Sequence, residues 1–154
     1  MTQNNELDPV GIFSNFLRNA LNDQLDPAAT TFVEMLAEDA VIEFPYAPPG
    51  GVTKVEGKAN IAQYVSGVGD LFEFGDMTLA ARHDSNQSDT IILEFSCTGT
   101  GVKTGEPYNQ KYISVISVRD GKIAHYNDYW NPLIALDAMG GTYDLSSKTV
   151  GETV

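Results

Sequence analysis

The hydrophobic period of this chain changes once, between residues 68 and 73, and no other feature constrains the fold as strongly. Before the change, apolar residues recur at three- and four-residue steps, as in Val10, Phe13, Phe16, Leu17, Ala20 and Leu21. That spacing lays one face of a helix against a core. After it the alternation is two, in runs 73–83, 89–99, 107–119 and 122–131, separated by DSNQSD, TGTGVKTGEP and RDG. Successive strand residues point to opposite faces, so these runs read as four half-buried strands joined by turns. Helices followed by antiparallel strands make an α+β domain.

The first half divides further. Asp8-Pro9 is a helix start, with Asp8 as N-cap and Pro9 in the first turn. Asp26-Pro27 reads as a second start, for a helix whose apolar face is Ala29, Phe32, Val33, Leu36 and Ala37. AVIEFP at 40–45 reads as a short strand ended by proline, and YAPPGG as a loop. A third helix is expected over 59–68, along Ile61, Tyr64 and Val65. Asn131-Pro132 should end the last strand, with LIALDAM forming one or two helical turns. The expectation is a single domain over 9–140, flanked by loosely ordered tails at 1–8 and 141–154. Three helices from the N-terminal half would cover one face of the sheet.

Composition excludes several function classes. With 21 acids against 9 bases, a net charge of −12 disfavours nucleic acid and anionic membranes as partners. The one cysteine, Cys97, permits no internal disulfide and lies in an apolar run without basic neighbours, so it reads as a buried, inert thiol. No stretch has signal-peptide character or the length of a membrane span, and a cytoplasmic location is the expectation. His83 and His125 are the only histidines and show no ligand spacing, so no metal is expected. The glycine-rich stretches lack a strand-to-helix GxGxxG context, and no GxSxG, P-loop or CxxC occurs, so no cofactor is implied.

The chemistry concentrates in KIAHYNDYWNPL, residues 122–133. Strand parity sets Ala124, Tyr126, Asp128 and Trp130 on one face and Ile123, His125, Asn127 and Tyr129 on the other. An acid among aromatics on a closing strand is the make-up of a ligand pocket, mostly apolar with a few placed polar groups. Glu43 in AVIEFP and Glu94 in TIILEFSC are carboxylates inside apolar strands, either solvated or buried with a partner. If either neighbours Asp128 in a dry pocket, one pKa rises and the pair can supply both an acid and a base. Tyr46, Tyr64 and Tyr112 carry hydroxyls that could donate to a substrate oxygen.

Four segments in order carry a resemblance: AEDAVIEFP, TGEPYN, QKYISVISVRDGKI and HYNDYWNPL. Together they resemble the SnoaL-like branch of the NTF2-like superfamily, over roughly residues 9 to 140. The resemblance implies a cone-shaped fold, in which a curved antiparallel sheet holds the helices over its concave face, and a homodimer. Members include steroid isomerases, polyketide cyclases, epoxide hydrolases and catalytically silent binders, so the fold leaves the activity open.

By local pattern the chain is similar to limonene-1,2-epoxide hydrolase, which places Asp128 on a site aspartate and Tyr126 on a pocket tryptophan. The hydrolase's arginine and second aspartate fall on Phe95 and Cys97, and its first-strand tyrosine and asparagine on Val41 and Glu43. The steroid isomerase base falls on Phe44, and its oxyanion donors near Leu17 and Ser114. In the cyclases the acid/base aspartate falls nearer Asn131. The resulting expectation is a cofactor-free isomerase, cyclase or hydrolase acting on a small hydrophobic, oxygenated molecule. Asp128, Glu43 and Glu94 are its candidate catalytic residues, and Tyr126, Trp130, Tyr112, Tyr46, Phe44, Phe95 and His125 its candidate binding residues. The alternative is a non-catalytic binder or dimerisation module of the same fold.

Overall fold

The computed structural model describes Asp8 and residues 10–86 and 89–141; of the expected tails at 1–8 and 141–154, all but Asp8 and Gly141 lie outside them. Helix α1 spans Gly11–Leu21 and is followed by a 3-10 turn at Asn22–Gln24. The Asp8 carboxylate accepts the Val10 N–H at 3.1 Å just ahead of the helix. Leu17 and Leu21 on its inner face are fully buried.

The helix expected after Asp26-Pro27 is absent. Residues 27–35 form turns, and strand β1 begins at Leu36, four residues before the expected strand. The backbone groups here are satisfied by side chains instead of a helical ladder. Arg18 donates to the carbonyls of Asn22, Asp26 and Ala29 at 2.7–2.8 Å. Ser14 Oγ accepts from Phe32 N–H, and Glu34 Oε1 accepts from the N–H groups of Thr30 and Thr31. The β-branched pair Thr30-Thr31 is a poor helix interior and a good supplier of such local bonds. Arg18→Ala should cost about 2 kcal/mol, because it strands part-buried carbonyls. Urea unfolding of that variant beside Arg18→Lys measures the loss.

The remaining elements fall close to the expected positions except β2, a short strand the sequence did not mark. They are β1 Leu36–Glu43, β2 Lys54–Glu56, α2 Lys58–Leu71, β3 Phe72–Asp84, β4 Thr90–Gly101, β5 Gln110–Arg119, β6 Lys122–Trp130 and α3 Pro132–Ala138. Asn131 caps α3, its Oδ1 accepting from Leu133 N–H at 2.9 Å, and Pro132 occupies the first turn. The architecture is thus α+β with three helices, but the third comes from the C-terminal end. The sheet runs β2-β1-β6-β5-β4-β3 and is curved and unclosed. Its pairs are antiparallel except β1–β6, which is parallel.

One feature of β6 departs from simple alternation. The pairing with β5 slips between Ser117 and Val118, so Ile123 and Tyr126 both turn inward and are almost wholly buried. Strict parity had set Ile123 on the opposite face. Downstream of the slip the alternation holds. The concave face then carries Leu93 and Phe95 of β4, Ser114 and Ile116 of β5, and Ile42 of β1, packed against α1 and the 27–35 turns.

Candidate active site

The inner core leaves a cavity of about 640 Å³ between the concave sheet and the helices, within the usual size of a small-molecule site. Its wall is apolar: Phe13 of α1, Phe32 of the turns, Phe44 after β1, Val65 of α2, Phe74 of β3 and Leu136 of α3 all contribute. The α3 cap at Asn131 thus brings the C-terminal segment over the sheet as a wall of the same chamber.

β6 delivers Tyr126, Asp128 and Trp130 into this cavity, the three residues its parity assigns to one face. Asp128 stands opposite Ser114 in the β5–β6 ladder. Its Oδ1 is out of reach of solvent and has no hydrogen-bond partner among the described residues; what remains accessible of the side chain lies along the cavity wall. Burial pushes its pKa up from 3.8 to about 7, while the Ser114 hydroxyl and the Trp130 indole pull back by favouring the anion. A carboxyl so placed exchanges a proton near neutrality.

Four tyrosines line the same space: Tyr64, Tyr108, Tyr112 and Tyr126. Burial, with a contribution from the charge of Asp128, holds all four hydroxyls protonated at working pH, Tyr64 pushed up to about 12 and Tyr108, Tyr112 and Tyr126 well above the usual phenol value. Ser114 Oγ donates to the Tyr126 hydroxyl at 2.9 Å. The hydroxyls of Tyr108 and Tyr112 are 3.0 Å apart. One of that pair donates to the other. Cys97 Sγ, a weak acceptor, lies 3.8 Å from Tyr112 Oη, and the Gln110 side chain is within hydrogen-bond reach of Tyr108. Both rings are held by stacking, Tyr108 on Phe72 at 4.1 Å and Tyr112 on Phe95 at 4.7 Å.

Tyr112, Tyr126, Trp130 and Phe44 line the cavity with Asp128. Phe95 does not reach it; the residue is buried behind Tyr112, which it supports. Glu43 and Glu94 are on the opposite sheet face, because Ile42 and Leu93 take the inward positions beside them. Glu43 meets His125 Nε2 at 2.7 Å and Glu94 meets His83 Nε2 at 2.7 Å, with all four side chains well exposed. Among the described residues no second carboxylate therefore shares the cavity with Asp128, and His125 belongs to the outer pair. Tyr46 is 59% exposed and packs edge-on against Tyr129, also outside.

Tyr108 was not legible as a site residue. It lies in the TGEPYN turn, at the very start of the 107–119 run, and reaches the cavity because its N–H bonds to Gly99 O on β4. Among the described residues no three His, Cys, Asp or Glu side chains are grouped to hold a metal ion, and no helix is long and apolar enough to cross a membrane.

Residues 14–126 match the SnoaL-like domain. The chain belongs to the SnoaL-like family. Within it, the protein is similar to YesE, an uncharacterised Bacillus subtilis protein, at 42% identity over 82% of this chain and 86% of that one. An uncharacterised PhzA/B-like protein of Pseudomonas aeruginosa is 36% identical over 73% and 79%. Among solved structures, a candidate isomerase from Bacillus subtilis superposes with a TM-score of 0.72 at 40% identity, covering 84% of this chain and 95% of that one. A Catenulispora acidiphila protein of ketosteroid isomerase-like fold scores 0.63 at 14% identity, over 85% and 97%. The latter likeness concerns the fold alone.

Proposed function

We propose that this SnoaL-like protein is a cofactor-free enzyme in which Asp128 moves a proton on carbon next to a carbonyl group of a small, largely apolar substrate. The observation that carries this reading is the solitary Asp128 carboxyl, with an unpartnered Oδ1, in an apolar chamber otherwise supplied with hydroxyl donors. A base needs a pKa near the working pH, and burial brings Asp128 to about 7. Proton removal beside a carbonyl leaves negative charge on its oxygen, and a hydroxyl of the Tyr108–Tyr112 pair, turned toward that oxygen, would stabilise it. Proton return to a different carbon gives isomerisation, and attack of the enolate on a second carbonyl gives cyclisation. Both reactions use the same groups. The candidate isomerase at 40% identity supports this class of chemistry.

The test follows solvent deuterium into small cyclic ketones and enones by mass spectrometry. Exchange should rise with pH through a midpoint near 7 as Asp128 ionises. In Asp128→Asn it should fall by roughly 10²- to 10⁴-fold. Tyr112→Phe should slow exchange by roughly 10- to 100-fold with little effect on binding, since its hydroxyl acts mainly on the developing charge. Exchange that is absent across the series, or unaffected in Asp128→Asn, contradicts the enzyme reading and leaves a binding protein.

A further inference from the structure

A cation stands at the exposed rim of the chamber. Of the residues lining the cavity, Gly67 and Leu71 of α2 and Lys103 in the β4–β5 loop are exposed, which places an opening between the end of α2 and that loop. Among the described residues, Asp128 and Lys103 are the only lining ones with a formal charge. In a chain with 21 acids and 9 bases, a lone cation at the mouth is against the odds of the composition. Lys54, Lys58, Arg82 and Arg119 are each paired with a carboxylate, and Arg18 and Lys122 with backbone carbonyls. The ammonium groups of Lys103 and of Lys111 on β5 have no ion-pair or hydrogen-bond partner among the described residues, and of the two only Lys103 lines the cavity.

The loop that presents Lys103 is tied down on both sides. Val102 N–H donates to Leu71 O at the end of α2, and Thr104 Oγ1 donates to Ala138 O at the end of α3, at 2.9 and 2.6 Å. Gly101 and Gly105 close the loop on itself. Lys103 thus leaves a backbone fixed relative to the cavity wall, and its side chain is long enough to follow a ligand at the rim.

We propose that Lys103 is a specificity residue that receives a carboxylate at one end of an elongated apolar substrate whose reacting end lies inside the cavity. A single ammonium at the cavity rim suits one negative charge; a doubly charged phosphate would call for more donors. The net charge of −12 disfavours anions in general, so the pairing selects orientation as well as class. The substrate enters with its apolar, carbonyl-bearing end first and keeps its charge in water. The inference rests on the cavity being the substrate site, as in the proposed function, but not on Asp128 being a base.

Trp130, the chain's one tryptophan, lines the cavity, so its fluorescence reports occupancy. The probes are ω-phenylalkanoic acids from phenylpropionate to phenyloctanoate, each compared with its primary amide, at pH 6 and low salt. The acids should bind roughly three- to fivefold more tightly than the amides. That preference should vanish in 0.5 M salt and in Lys103→Gln, persist in Lys103→Arg and reverse in Lys103→Glu. Equal binding of acid and amide, a preference retained in Lys103→Gln, or no binding by any acid would overturn the proposal. Asp128→Asn, read in the same assay, should keep the preference. A protein that shows the preference but no deuterium exchange refutes the catalytic reading and leaves this one standing.

Discussion

Asp128→Asn is expected to be more stable than the parent protein at pH 8, by about 4 kcal/mol at most, and to lose that advantage in acid. The folded protein holds the Asp128 proton up to about pH 7, whereas the unfolded chain releases it near 3.8. Between those values the folded state binds one proton more, so stability falls by about 1.4 kcal/mol for each pH unit gained. Above pH 7 the anion sits in the apolar cavity and the full cost is present. Below 3.8 both states are protonated and the cost disappears. Asparagine keeps the shape and never ionises, and the other carboxylates titrate alike in both proteins. Urea unfolding of the two proteins at pH 4.5 and pH 8 measures the effect; a difference independent of pH would mean that Asp128 is not desolvated. A gain in stability combined with a loss of turnover is the mark of a group held in place for chemistry.

Two glycine-to-alanine changes should act in opposite directions. A Cβ at Gly101 would overlap the Ala138 carbonyl and crowd Thr104 Oγ1 at 2.8 Å, so Gly101→Ala must push α3 away from the β4–β5 loop. The cost is about 3 kcal/mol, or about 10 °C in melting temperature for a chain of this size. Because Leu136 and Ala138 of α3 line the cavity, ligand binding should weaken as well. Gly67, in the interior of α2, has open space where its Cβ would be. Gly67→Ala should therefore stabilise, by about 0.5–1 kcal/mol, through helix propensity and a less flexible unfolded chain. Calorimetry of the pair separates a loss of α3 docking from a general sensitivity to substitution.

The strands β3 to β6 were legible because one of their faces is core and the other is wet, which imposes a period of two from Phe72 to Trp130. The same parity found Tyr126, Asp128 and Trp130, whose faces follow from the backbone alone. Three places escaped it. The stretch after Asp26-Pro27 has helical spacing in Phe32, Val33 and Leu36, but Arg18 and Ser14 of α1 and Glu34 within the stretch capture its backbone groups, and no periodicity registers that. Glu43 and Glu94 were ambiguous because an apolar strand with one acid looks alike whether the acid faces in or out. Their histidine partners lie on other strands, 82 and 11 residues away, which only the sheet order brings together. Tyr108 and Lys103 sit in turns, where side-chain direction depends on tertiary contacts such as the bonds to Gly99 and Leu71.

A single desolvated carboxyl poised near neutral pH inside an apolar chamber can be observed directly, by carbon-13 NMR of protein labelled at the aspartate side-chain carboxyls. The titration runs from pH 3 to 9, with Asp128→Asn to assign the signal. One aspartate should show a midpoint near 7, its shift at pH 5 that of a neutral acid. A midpoint near 4 for Asp128 would show a solvated or ion-paired carboxylate and remove the base from the proposed chemistry.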